Sequence, residues 1–211
     1  MPHQNRVTPS SQLIATPARG TLMGNRGCLH NARGEIVRDF AGKRWIACLL
    51  EFRGRRRAVM TPGRYTELFF LDEVTALAAG HRPCAECRRE DYNRFRSAWV
   101  AAGLPSHGAL PSAVEMDAHL HAERRDASGS KATHPARLAD LPAGVFVVLG
   151  DTDQPFLFHR GLLWPWTPAG YSAPVTPALG APIRLLTPPS IVAVLAAGYV
   201  PAVHPSIPAA A

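Results

Sequence analysis

The chain has 211 residues, 46% of them hydrophobic, enough to bury a core as one domain or two small ones and too apolar for disorder over most of its length. No apolar run approaches the roughly 18 residues that cross a bilayer, and the opening stretch MPHQNRVTPSSQLIATPARG lacks the apolar centre of a signal peptide, so a cytoplasmic protein is expected. The formal charge is +7, and four cysteines in a chain with no export signal point to metal ligands or buried thiols before disulfides.

The charge is unevenly spread. Residues 1–60 carry 11 Lys and Arg against 3 Asp and Glu, while residues 61–100 carry 6 against 6 and residues 101–211 carry 6 against 7. The excess is densest at Arg53, Arg55, Arg56 and Arg57. A one-sided basic stretch suits a polyanion-binding surface, because phosphate contacts release condensed counterions. It also suits an arginine-rich solvated face, a reading supported by the presence of only two lysines, Lys43 and Lys131.

In chain order, residues 1–20 are polar and proline-broken and read as an extended arm, and GTLMGNRGCLHNARGE reads as glycine-rich turns. KRWIACLLEF and RYTELFFL read as strands, with RGRRR in the turn after the first. DEVTALAAG reads as a short helix, with Asp72 as N-cap, Glu73 at the positive end of the dipole and Gly80 as its stop. RREDYNRFRSAWVAAG has apolar residues at 92, 95, 98 and 99, a helical spacing that ends at Gly103. Residues 104–112 are a break, AVEMDAHLHAERRD is a further helix, and ASGSKATHP is a loop. GVFVVLG and PFLFHRGLLWPW read as strands. TPPSIVAVLAAGYVP then repeats the helix-stop design of LDEVTALAAGHRP without its cysteines. Trp164, Trp166, Tyr171 and Tyr199 suit either base stacking or an aromatic core.

The segment HRPCAEC carries the chemistry. Two cysteines at C-x-x-C spacing on a tight turn can meet one zinc at tetrahedral angles. The wider stretch FFLDEVTALAAGHRPCAECRRE resembles the metal-binding domain of the Ada DNA-repair family and Ada-like zinc modules attached to several nucleases. The matching residues are Ala76, Ala78, Ala79, Gly80, Arg82, Pro83, Cys84, Cys87 and Arg88, with His81 where the family usually has an aromatic. The resemblance covers about residues 65–90 and implies zinc on Cys84 and Cys87, with two more ligands N-terminal to the helix. In the family these are commonly closely spaced cysteines or a His/Cys pair. Here Cys28 and Cys48 stand far apart, and Cys28, His30 and Cys48 compete for the remaining places. The methyl-acceptor activity of the family does not carry over, because no residue here matches its acceptor cysteine.

PCAEC and HAE together also contain the residues of a zinc deaminase, in reversed order. On a helix, Asp117, His121 and Arg124 or Arg125 share one face, and His119 pairs with Glu123, an arrangement equally expected of a charged, solvated helix. No P-loop, dinucleotide fingerprint, nucleophile elbow or heptad repeat is present.

The expected protein is α+β. It has an extended arm over residues 1–20, a small zinc-stabilised Ada-like module over 21–103, and a helix with a β-containing, proline-rich region packed on it over 113–211. Zinc is the expected cofactor. The leading expectation is a nucleic-acid-binding protein of DNA repair or processing, binding DNA before RNA, with Arg53, Arg55, Arg56, Arg57, Arg82, Arg88 and Arg89 on phosphates. One alternative is a zinc-dependent hydrolase or nucleobase deaminase using Asp117, His121 and Glu123. Another is a protein-interaction module whose zinc is structural.

Overall fold

The computed structural model describes residues 1–55, 58–150, 152–177 and 182–209, and all of its parts meet on one helix with no exposed side. This is α1 (Glu73–Ala78), whose six residues are all buried. It starts and stops as the sequence predicts. Asp72 caps it by accepting the Thr75 N–H at 2.9 Å, and Gly80 ends it at φ +90°, where a Cβ would lie 2.9 Å from the Arg124 side chain.

On one side of α1 lies a six-stranded sheet formed by β1 (Gln4–Val7), β2 (Leu13–Ala15), β3 (Leu22–Asn25), β4 (Ile46–Leu49), β5 (Leu68–Phe70) and β6 (Arg82–Pro83), in the order β2-β1-β5-β3-β4-β6. Ala76 and Ala79 of the α1 segment pack on its inner residues, Val7, Leu22, Ala47, Leu68 and Phe70. Residues 1–20, expected as an extended arm, belong to this sheet. They supply two strands, and β1 pairs in parallel with β5 through Arg6 and Phe69. The glycine-rich stretch expected to turn contains the central strand β3. Gly24 is needed there for a different reason, since a Cβ would lie 2.0 Å from the Ile46 carbonyl oxygen of the neighbouring strand.

On the other side lies a second six-stranded sheet, made by β7 (His134–Ala136), β8 (Val145–Leu149), β9 (Pro155–His159), β10 (Leu162–Thr167), β11 (Gly170–Tyr171) and β12 (Ile183–Leu185), in the order β11-β10-β9-β8-β12-β7. Strand β8 is buried on both faces, which explains its unbroken apolar run. Phe146 and Val148 face Leu71, Val74 and Ala78 around α1. Val145 and Val147 face α2 (Arg89–Ala101), α3 (Ala113–Glu123) and α4 (Pro189–Ala196). Helix α2 buries Tyr92, Phe95, Ala98 and Trp99, the face its spacing predicts. The 127–135 stretch is not all loop, because His134 belongs to β7. The architecture is thus α+β. Among the described residues no helix is long and apolar enough to cross a membrane.

Two adjacent carboxylates at the start of α1 fasten the late part of the chain. Asp72 accepts the Tyr171 hydroxyl at 2.8 Å and the His204 N–H at 2.9 Å. Glu73 accepts the Tyr199 hydroxyl at 2.5 Å and the Ala202 N–H at 3.0 Å, and pairs with Arg88 at 2.7 Å. Burial pushes both tyrosines up, so their hydroxyls remain donors. Trp166 is buried and donates to Thr75 Oγ1 at 3.2 Å, so it is core and not a stacking platform. Removing one member of a buried ion pair strands the other. Glu73→Ala is therefore expected to lower unfolding free energy by about 3–5 kcal/mol, read from urea denaturation; a loss below about 1 kcal/mol would reject this role.

Candidate metal centre

The sheet exposes the face that α1 does not cover. Pairing of Met23 with Cys48 and with Phe69 places these three side chains in one row across β4, β3 and β5, pointing away from the inner residues. At the edge, β6 runs parallel to β4, with Ile46 opposite Arg82 and Ala47 opposite Pro83. The Cys84 N–H donates to the Ala47 carbonyl at 2.9 Å, which draws the C-x-x-C turn onto the strand carrying Cys48.

The sulfurs of Cys48, Cys84 and Cys87 consequently lie within 4.8 Å of one another. Thiolates about 2.3 Å from a zinc at tetrahedral angles stand about 3.8 Å apart, so the spacing fits one ion. Backbone N–H groups already face the sulfurs: Leu49 donates to Cys87 and Glu86 donates to Cys84, each at 3.4 Å. Hydrogen bonds from the Cys48 and Cys87 thiols drive the Cys84 thiol far down. Hydrogen bonding to Cys84 and Cys87 drives Cys48 up. Three sulfurs this close do not all ionise without a cation between them, and a cation is what this donor set suits.

Cys28 and His30 do not join. The Cys28 thiol points to the His30 carbonyl at 3.7 Å. The buried His30 ring is held between Thr66 Oγ1 at 2.6 Å and the Thr61 carbonyl at 3.2 Å. Both serve the loop after β3.

Two of the arginines expected on phosphates are committed elsewhere. Arg82 is buried and grips Asp117 with two of its three guanidinium nitrogens, Nε and Nη2, at 2.9 and 2.7 Å. Arg88 is buried between Glu73 and Asp91, at 2.7 Å from each. Arg89 is exposed, Arg53 lies 5.0 Å over the Phe52 ring, and exposed Arg55 pairs with Glu86 at 2.7 Å. Arg56 and Arg57 lie outside the described residues.

Asp117, His121 and Glu123 do not assemble either. With Asp117 bound to Arg82, Glu123 accepts the Ser190 hydroxyl at 2.6 Å and N–H at 3.0 Å, and meets His119 at 3.3 Å. His121 sits edge-on to Phe40 at 5.3 Å between centroids, and burial followed by Arg124 pushes it down. None of the three is near enough to the sulfurs to complete their group.

A cleft of about 800 Å³ opens beside the three cysteines. Met23, Ile46 and Phe69 of the sheet line it, with Phe52, Val59 and Tyr65 from the 49–65 segment. A second cleft of about 440 Å³ is lined by Arg26, Lys43, Arg44 and Asp117. The two share Asn25, Gly27 and Arg44.

Arg26, which sequence reasoning passed over, and Arg124 and Lys131, which it read in other roles, surround this region. Arg26 and Arg124 lie 4.1 and 4.4 Å from the Trp45 ring centre. Arg124 donates to the Gly80 carbonyl at 2.9 Å and Lys131 to the Ala78 carbonyl at 2.8 Å, so cations cap the negative end of α1. No local motif marks them. Glu67 is different, because a charge inside the apolar run TELFF was a signal. No family model, curated protein or solved structure matches the chain.

Burial, then the neighbouring Arg26 and Arg124, push Lys131 down to about 7 from 10.5. Between those values the unfolded chain holds a proton that the folded chain does not, so this group adds stability as pH rises above about 7 and is neutral to pH below it. Lys131→Met is expected to abolish that increment. From about pH 7 to 9 the melting temperature of the wild-type protein should rise relative to that of the variant, and parallel curves would refute the assignment.

Proposed function

We propose that the chain is a zinc-binding protein that binds nucleic acid along the cleft beside Cys48, Cys84 and Cys87. One observation carries the reading: three sulfurs within 4.8 Å of one another line a cleft that adjoins a second one bearing exposed Lys43 and Arg44. A thiolate set favours zinc over the harder cations, and the likeness of residues 65–90 to Ada-like modules points the same way. Zinc bound there would neutralise the thiolates, tie β4 to the knuckle and offer Lewis acidity at a position the three cysteines leave free. Cys48, Cys84 and Cys87 hold it, and the Leu49 and Glu86 N–H groups steady two of the sulfurs.

Exposed Arg44, Arg53, Arg55 and Arg89 supply the phosphate contacts, with DNA favoured over RNA and repair or processing as the setting. Hydrolysis through His121 and Glu123 is not supported, since Glu123 is held by Ser190 and His121 lies outside the sulfur cluster.

Metal analysis of purified protein should give about one zinc per chain, and Cys84→Ser or Cys87→Ser should release it and lower the melting temperature. Unchanged metal content would reject the ligand assignment. DNA affinity should fall steeply with salt, and Arg44→Ala with Arg53→Ala should flatten the slope by about 0.7–0.9 per lost phosphate contact. Salt-insensitive binding would reject the phosphate reading.

A further inference from the structure

The first cleft contains a buried carboxylate that is only half satisfied. Glu67 is 3% exposed; one carboxylate oxygen takes the Met60 N–H at 2.7 Å, and Oε1 is buried without a partner. A carboxylate oxygen left unpaired in a protein interior is costly unless a ligand completes it.

Its neighbours define that ligand. Asn25 lies one residue beyond the Gly24–Leu68 pair, across from Glu67, and lines both clefts. Its Oδ1 accepts the Gly27 N–H at 3.3 Å, which leaves the amide N–H groups as donors. Glu67 and Asn25 thus present an acceptor beside a donor on an apolar floor of Met23, Ile46 and Phe69. In the second cleft the side chains of Lys43 and Arg44 are exposed and make no hydrogen bond or ion pair among the described residues. Asp117, the one carboxylate in that lining, is already neutralised by Arg82.

We propose that the joined clefts bind one unpaired nucleotide, with its phosphate on Lys43 and Arg44 and the Watson–Crick edge of its base on Glu67 and Asn25. Every base offers a donor next to an acceptor on that edge, and in a duplex the partner strand occupies it. The site therefore selects single-stranded over paired nucleic acid, and Met23 and Ile46 give the base an apolar surface to lie on. This deepens the nucleic-acid reading above and rests on it.

The test uses the zinc-loaded full chain and fluorescence anisotropy at about 0.15 M salt, with a labelled single strand of about 12 nucleotides as DNA or RNA, the matching DNA duplex, and a nucleoside monophosphate as competitor. Single strands should bind at least about tenfold tighter than the duplex. Glu67→Gln keeps an acceptor for Met60 and turns the free oxygen into a donor. It should weaken single-strand binding about tenfold while leaving the melting temperature unchanged or raised. Lys43→Ala with Arg44→Ala, both on exposed side chains, should weaken it as well. A monophosphate that competes as well as a strand also supports the site and makes the free nucleotide its ligand. Equal affinity for strand and duplex, or no effect of Glu67→Gln, overturns the inference and leaves the nucleic-acid reading standing. Absence of binding to any of these probes overturns both.

Discussion

Helix α1 carries opposite charges at its two ends, and the surrounding elements are located by reaching one end or the other. Asp72 and Glu73 sit at its positive end and collect Tyr171, Tyr199, Ala202, His204 and Arg88. Lys131 and Arg124 sit at its negative end, on the Ala78 and Gly80 carbonyls. A helix this short is not stable alone, so its charges and its apolar faces must be matched from outside. The three packed clusters that meet at its faces provide this, and they fix the angle between the two sheets.

The metal centre depends on the same helix. Gly80 lets the chain leave α1 directly into β6, and the parallel pairing of β6 with β4 presses the knuckle against Cys48. Arg88 then ties the first residue after the knuckle back to Glu73. The sulfurs are thus positioned by backbone hydrogen bonds and by a buried ion pair, so an ion held there meets ligands already gathered.

The local signals of the sequence were legible. Asp72, Gly80, the buried face of α2 and the pair Cys84 and Cys87 are all stated by residues within a few positions of one another. What failed needed partners far along the chain. Cys28, in its glycine-flanked turn, was as good a ligand as Cys48 until strand pairing brought Cys48 to the knuckle. Arg82 and Arg88 looked like phosphate contacts, yet each answers a buried carboxylate on another element. Gly24 carries no sign of whether it makes a turn or admits a neighbouring strand, and residues 1–20 show their strands only beside β5.

The fastening of α1 by Tyr199, Ala202 and His204 imposes an order of events during synthesis. Asp72 and Glu73 emerge from the ribosome well before the residues that complete them, whereas Cys48, Cys84 and Cys87 are all present once the knuckle has been made. Nascent chains fold from the N-terminal side as they lengthen. For that interval a metal ion held on the three thiolates would link β4 to the segment that follows α1, and Arg88 is the cation that pairs with Glu73. Such a centre would serve as a scaffold pin for an unfinished core, and chains made without the ion would expose the faces of α1 to chaperones and proteases.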